Sequence, residues 1–169
     1  MKKDNWIVIV FVLTFILSFL FSTISNLLSN INVIVMIIIL LIVILIGIIF
    51  DMIGVAVLSC KEANFHAKAA NKINGAKECI SLIKNANKTS SVCCDVIGDI
   101  CGIISGSLIA GLVIILKDEP IIDITVTAIV SSITVGFKAI GKKTAIKYAD
   151  NIIFTVGKII NTLNFKKKH

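Results

Sequence analysis

Two aspartates interrupt long apolar stretches of this sequence, and both are candidates for binding a cation. Asp51 lies in the apolar run 33–58, and Asp99 lies in the run 92–116. An aspartate at the centre of a membrane-spanning helix costs about 2.5–3.5 kcal/mol, so its presence favours an ion or proton pathway. Each is about eight residues from the lysine-rich end of its helix, roughly 12 Å deep at 1.5 Å per residue. The sequence therefore predicts that the two carboxylates meet.

Hydroxyl side chains in the fourth apolar run extend this candidate site. Mg²⁺ prefers oxygen ligands, retains several waters and needs only one or two carboxylates from the protein. The predicted metal ligands are Asp51, Asp99, Ser131, Ser132 and Thr134. Sodium ions or protons fit the same groups. The alternative is that the aspartates lie near the interface, are hydrated, or are paired with a lysine.

Three glycines at a spacing of four follow the same face of the third apolar run. Gly98, Gly102 and Gly106 form a stripe of small residues that allows another helix backbone to approach closely. We predict helix packing along this stripe. Since Asp99 adjoins it, we expect that aspartate to face protein rather than lipid.

The elements that must position these residues are helices in a membrane. The chain has 169 residues, of which 57% are hydrophobic, and its mean hydropathy is +1.00. A soluble domain is about 45–50% apolar. We predict an all-α membrane protein with a single domain, 1–169, and four spans at about 6–28, 33–59, 92–116 and 121–141. The first run is expected to be a retained helix; a cleaved signal sequence would leave three spans.

The polar segments have helical periodicity too. Residues 60–91 alternate lysines with apolar residues at spacings of three and four, which predicts an amphipathic helical hairpin broken at Asn74–Gly75. Thr89, Ser90 and Ser91 are predicted to cap the third span. A second amphipathic segment is expected at 144–165. Such segments suit the membrane surface or packing on a partner domain.

The lysines are distributed asymmetrically. All 17 basic residues are lysines, and with four spans every one except Lys117 falls on the side that holds both termini. Cytoplasmic loops are enriched in lysine, so we expect a multi-pass protein of the cell membrane with both termini and the 60–91 hairpin in the cytoplasm. This explains the net charge of +7 better than nucleic-acid binding does. Its expected partners are the bilayer and anionic lipid at the lysine-rich face.

Catalysis is not expected. The sequence has no Ser-His-Asp or Cys-His arrangement and no phosphate-binding glycine loop, and His66 and His169 lie in lysine-rich segments. Cysteines without a CxxC pair in apolar helices are predicted to be free, buried thiols. These are Cys60, Cys79, Cys93, Cys94 and Cys101. No cofactor is predicted with certainty, and Mg²⁺ enters only as a transported ion.

Three segments resemble the membrane domain of the CorB/CorC and cyclin-M (CNNM) magnesium transporters. Residues 50–59, FDMIGVAVLS, resemble the family's FSxxExALxS pattern, with Asp51 at the serine position. Residues 97–102, IGDICG, resemble its IGNNLVN helix, with Asp99 at an asparagine. Residues 136–142, GFKAIGK, resemble the end of its GEIxPK segment. The resemblance is to a short form without CBS domains, as in small clostridial membrane proteins with CorB-like labels, and it implies a dimer with a cation site between helices.

Two classes of function follow. The first is a divalent-cation transporter or cation-binding membrane domain. The second is a non-transporting structural or partner-binding membrane protein, and a holin-like pore former is a further alternative, consistent with the small size and the lysine tail.

Overall fold

The computed structural model describes residues 8–16, 18–19, 23, 32–116 and 120–166, and within them all regular structure is helical. Residues 8–16 form α1. The other helices are α2 (Val33–Ser59), α3 (Ala63–Ala70), α4 (Ala76–Lys84), α5 (Ala86–Ser90), a π-helical segment (Ser91–Gly98), α6 (Asp99–Leu116), α7 (Pro120–Lys147) and α8 (Ala149–Lys166). The predicted all-α class is confirmed for this part of the chain.

Helix α2 is the central element and covers the predicted range 33–59. It is 27 residues long and starts where the Asn32 side chain accepts a hydrogen bond from the backbone N–H of Ile34. Its apolar residues face both the other helices and the surroundings, because many of its leucines and isoleucines stay exposed. A helix that is apolar all round suits a lipid environment.

The third apolar helix begins earlier than the sequence indicates. α5, the π-helical segment and α6 form one continuous helix over 86–116, which we call the α5–α6 helix. The predicted cap at Thr89–Ser91 was wrong. Ser90 has helical dihedral angles and makes no capping hydrogen bond, and the Thr89 hydroxyl donates to the carbonyl of Leu82, 3.5 Å away.

Helix α7 also extends beyond its predicted end at 141, to Lys147. Tyr148 alone separates it from α8, so the amphipathic segment predicted from 144 starts at Ala149 instead. The sequence did not show this boundary because lysines and small residues in 138–147 continue the helical pattern on both sides of it.

Three of the helices in the described ranges are long and apolar enough to cross a membrane: Val33–Ser59, Ala86–Val113 and Ile124–Lys147. Of the predicted first span, 6–28, residues 6–7, 17, 20–22 and 24–28 lie outside the part of the chain that the structure describes.

Two apolar clusters hold the helices together. The first joins α2 to the α5–α6 helix and consists of Met36, Leu40, Val96, Ile100, Ile104, Leu108 and Ile109. The second, called here the cap cluster, joins the end of α2 to α3, α4, α7 and α8; it consists of Ala56, Val57, Phe65, Cys79, Ala145, Ala149 and Ile153. Helix α2 lies between α6 and α7, which make few contacts with each other.

Candidate functional site

The Asp51 carboxylate is buried and is neutralised by a lysine. Asp51 is only 3% exposed, and Nζ of Lys138, on α7, lies 3.2 Å from Asp51 Oδ2. The same ammonium donates a hydrogen bond to the backbone carbonyl of Gly98, also 3.2 Å away. Helix α2, the π-helical segment and α7 therefore meet at one positive charge.

Small residues let α2 approach the α5–α6 helix at this place. A Cβ atom added at Gly98 would lie 2.8 Å from Asp51 Oδ1, and one added at Gly47 would lie 3.0 Å from the Cβ of Cys101. A Cβ at Gly54 would collide with the Cys94 sulfur. Since 47, 51 and 54 share one face of α2, the aspartate is placed at the centre of a close helix crossing.

This arrangement supplies charge neutralisation rather than an open metal site. A carboxylate oxygen and a backbone carbonyl are the kinds of ligand that a hard cation takes, and here the lysine ammonium occupies them. Sequence reasoning had offered lysine pairing as the alternative for Asp51 without naming the partner. Lys138 had been assigned only to the lysine-rich face.

Asp99 lies on another side of the α5–α6 helix. It is exposed and, together with Asp95, lines an open cleft of about 490 Å³ against α1. Asp51 is not part of that cleft, although it touches Gly98, the residue before Asp99. The structure thus places the two predicted carboxylate ligands at neighbouring levels but in separate surroundings.

The Asp95–Asp99 cleft has mostly apolar walls, with the two aspartates on one side. The two aspartates are four residues apart, so their side chains share one face. The residues across the cleft are Val10, Phe11, Thr14 and Phe15 of α1, together with Ser18. The Ser18 Oγ is buried and has no hydrogen-bond partner among the described residues. No described lysine or histidine lies within ion-pair distance of either carboxylate.

The backbone beneath these aspartates is unusual. Asp95 lies within the π-helical segment and Asp99 is the first residue of α6. Single-turn π-helical insertions occur frequently at functional sites. This segment could not be read from the sequence, because its residues have no pattern that distinguishes a π-helix from an α-helix.

The predicted hydroxyl ligands of α7 lie elsewhere. Ser131 and Ser132 are exposed. The Ser132 hydroxyl donates to the carbonyl of Ile129 and the Thr134 hydroxyl to that of Val130, each at 2.8 Å. Thr134 lines a groove that is otherwise apolar. The structure does not bring these hydroxyls to either aspartate.

The three glycines of the stripe have different surroundings. Gly98 packs against Asp51, whereas nothing in the described parts of the chain lies within 4 Å of a Cβ added at Gly102 or Gly106. Those two glycines are exposed. The predicted packing is therefore present at the first position, and the face beyond it is open.

The cap cluster contains the buried Cys79 and packs against Cys60, which is half-buried; the sequence correctly predicted that both thiols are free. Burial raises the pKa of Cys60 to about 12, and the neighbouring Asp150 carboxylate adds to the rise. Burial also raises the pKa of Cys79, with a contribution from Glu78. The Cys79 thiol donates to the carbonyl of Ile153 at 3.2 Å. Both thiols are protonated and unreactive at neutral pH.

Among the described residues, no group of three or more His, Cys, Asp or Glu side chains is arranged to hold a metal ion. No protein-family model, no curated protein and no solved structure matches this chain. The resemblance to the CorB/CorC and CNNM transporters stays a prediction from three short segments.

Proposed function

We propose that this chain is a multi-pass α-helical protein of the cell membrane, with four spans and both termini in the cytoplasm. Three apolar helices of sufficient length support the membrane location. The lysine asymmetry supports the orientation. Helices α3 and α4, joined by a turn in which Gly75 has a φ of +88°, would form the cytoplasmic hairpin.

Within the membrane, we propose that the chain binds a divalent cation such as Mg²⁺ in the Asp95–Asp99 cleft and transports it. One observation carries this proposal: two carboxylates four residues apart in a candidate membrane-spanning helix form no ion pair in the described structure. Two like charges at this spacing destabilise a helix, and a low-dielectric environment increases their repulsion. A bound divalent cation removes both penalties.

The ligand chemistry is suited to such an ion. Mg²⁺ needs one or two carboxylates and completes its shell with waters. An open cleft leaves room for those waters, and Thr14 and Ser18 are among the residues of its other wall. Asp51 has a positioning role in this proposal, because its pair with Lys138 holds α2 and α7 against the helix that carries the cleft.

Mg²⁺ flux into proteoliposomes tests the proposal. We expect the double variant Asp95→Asn/Asp99→Asn to lose most of the flux of the wild type. Glu78→Gln removes one negative charge from α4, outside the spans, and is the matched control; it should transport normally. Equal flux in all three proteins would refute the assignment.

A second candidate function is a non-transporting structural or partner-binding membrane protein. It is favoured by the Asp51–Lys138 pair, because the lysine occupies the position that the sequence had assigned to a metal ion. Under this alternative, Asn at 95 and 99 is tolerated and no ion flux is seen with the wild type. A holin-like pore former would instead release a small dye from the same vesicles.

A further inference from the structure

An open polar cleft of about 460 Å³ lies where α2 ends and α8 begins. Lys61, Lys147, Tyr148 and Asn151 contribute hydrogen-bond donors to its walls, and Asp150 contributes a carboxylate. This cleft is separate from the Asp95–Asp99 cleft and shares no residue with it.

The charge balance of this cleft favours an anion. Neither Lys61 nor Lys147 forms an ion pair with a described carboxylate. Asp150 is already engaged, because its Oδ2 accepts a hydrogen bond from Asn64 Nδ2 at 2.7 Å. Two lysines therefore line the cleft together with one carboxylate, and one oxygen of that carboxylate already accepts a hydrogen bond.

The position of the cleft indicates the source of that anion. Ser59 is the last residue of α2 and Lys147 the last of α7, so the cleft lies at the ends of two candidate spans. Ile146, which lines the cleft, is 60% exposed, and Leu58, which precedes the lining residue Ser59, is 53% exposed. In a bilayer, these side chains would contact acyl chains while the cleft lies at the level of the headgroups.

We propose that this cleft binds the phosphate group of an anionic lipid in the cytoplasmic leaflet. Lysine binds phosphate as a point charge, and each lysine near an anionic membrane surface strengthens binding about fivefold. The inference rests on the membrane location proposed above and does not depend on the cation site.

Native mass spectrometry of the full chain tests this inference. The purified protein is titrated in detergent with phosphatidylglycerol or phosphatidylcholine, and the affinity for each lipid is measured. We expect preference for phosphatidylglycerol, and an affinity about 30-fold lower in Lys61→Gln/Lys147→Gln. Lys61→Arg/Lys147→Arg keeps the charge and should retain the affinity.

Lys72→Gln/Lys77→Gln is the matched control, because both lysines are exposed and lie away from the cleft. It removes the same charge and should change the affinity less than about twofold, since neither lysine contacts the bound lipid. Unchanged affinity in the cleft variant, or an equal loss in the control, would overturn the proposal. Displacement of the lipid by millimolar glycerol 3-phosphate would assign the cleft to a soluble phosphate and overturn the lipid assignment.

The two proposals fail separately. Asp95→Asn/Asp99→Asn should bind phosphatidylglycerol as the wild type does, because the two clefts share no residue. Loss of the lipid preference in that variant would show that the lipid does not depend on the lysine cleft alone, and would overturn the assignment made here.

Discussion

The Lys138 ammonium lies 3.2 Å from the Asp51 carboxylate and couples α7 to α2 inside the apolar part of the molecule. The same ammonium donates to the Gly98 carbonyl, so it also joins α7 to the end of the π-helical segment, where α6 begins; α6 and α7 themselves make few contacts with each other. A buried pair of this kind is not strongly stabilising as a whole, but leaving one partner unpaired is costly.

Replacing one partner of the pair should therefore destabilise the protein more than replacing both partners. We expect Asp51→Asn or Lys138→Met each to lower the free energy of unfolding by about 3–5 kcal/mol, because each leaves one buried group without its partner. The double variant Asp51→Asn/Lys138→Met removes both charges and should recover much of that loss. Thermal unfolding in detergent measures the effect.

Lys142→Met on the same helix is the control for that experiment, because Lys142 is exposed and has no ion pair with a described residue. It should unfold as the wild type does. Strictly additive losses in the double variant would show that the two side chains do not interact in the folded protein.

The three glycines of the α5–α6 helix should respond differently to alanine. At Gly98, a Cβ would lie 2.8 Å from Asp51 Oδ1, so Gly98→Ala should displace the carboxylate from Lys138 and destabilise the protein by about 1–3 kcal/mol. Gly102→Ala and Gly106→Ala meet open space and should be neutral or stabilising by about 0.5–1 kcal/mol, since alanine favours the helix. Unfolding of the three variants in one detergent tests the contrast. A loss at all three positions would indicate that the open face is covered in the folded protein.

Much of the helical architecture could be predicted from hydrophobicity alone. The range 33–59 was predicted because its apolar run is uninterrupted except at Asp51, and α2 follows it. The start of the third apolar helix was predicted too late in the chain, because Thr89, Ser90 and Ser91 have side chains typical of N-caps. In the folded chain Ser90 is buried against α2, with its carbonyl 3.3 Å from a Cβ placed at Gly54, and burial there favours continuing the helix.

The candidate site was less predictable. Asp51 and Asp99 were recognised by the cost of an aspartate in an apolar helix, but the same reasoning cannot identify a partner distant in sequence. Lys138 counts as a surface lysine in any argument from topology, and only the packing of α7 on α2 shows that its side chain points inward. Asp95 was not among the predicted ligands. Asp95 lies across a cleft from α1, and this position depends on tertiary packing, which cannot be predicted from the periodicity of the sequence.

The thiol of Cys60 should be slow to react. Its pKa is raised to about 12 by burial and then by Asp150, so alkylation by iodoacetamide at pH 8.5 should be at least about tenfold slower than in the denatured chain. Peptide-level mass spectrometry measures the rate, with the denatured protein as reference. Asp150→Asn removes one cause and should speed the reaction. Equal rates in folded and denatured protein would contradict the burial of this thiol.

The same shift predicts how stability changes in alkaline solution. Because the pKa of Cys60 is higher in the folded chain than its ordinary value of 9.0, the unfolded chain loses this proton first as the pH rises. The contribution of Cys60 is therefore complete below pH 9.0 and is lost between 9.0 and about 12. Cys60→Ala should show a weaker decline in melting temperature over that range, which thermal unfolding at a series of pH values measures.

Divalent cations should stabilise the protein through the Asp95–Asp99 cleft. Since a ligand that binds only the folded state adds RT ln(1 + [L]/Kd), Mg²⁺ at 100 times its Kd should raise the free energy of unfolding by about 2.7 kcal/mol. Asp95→Asn/Asp99→Asn should abolish this increase. Without Mg²⁺ the variant should be more stable than the wild type, because it lacks two like charges four residues apart on one helix face. Melting temperatures with and without Mg²⁺ measure both effects, and Glu78→Gln should respond to Mg²⁺ as the wild type does. If the variant kept the full response to Mg²⁺, the ion would bind elsewhere.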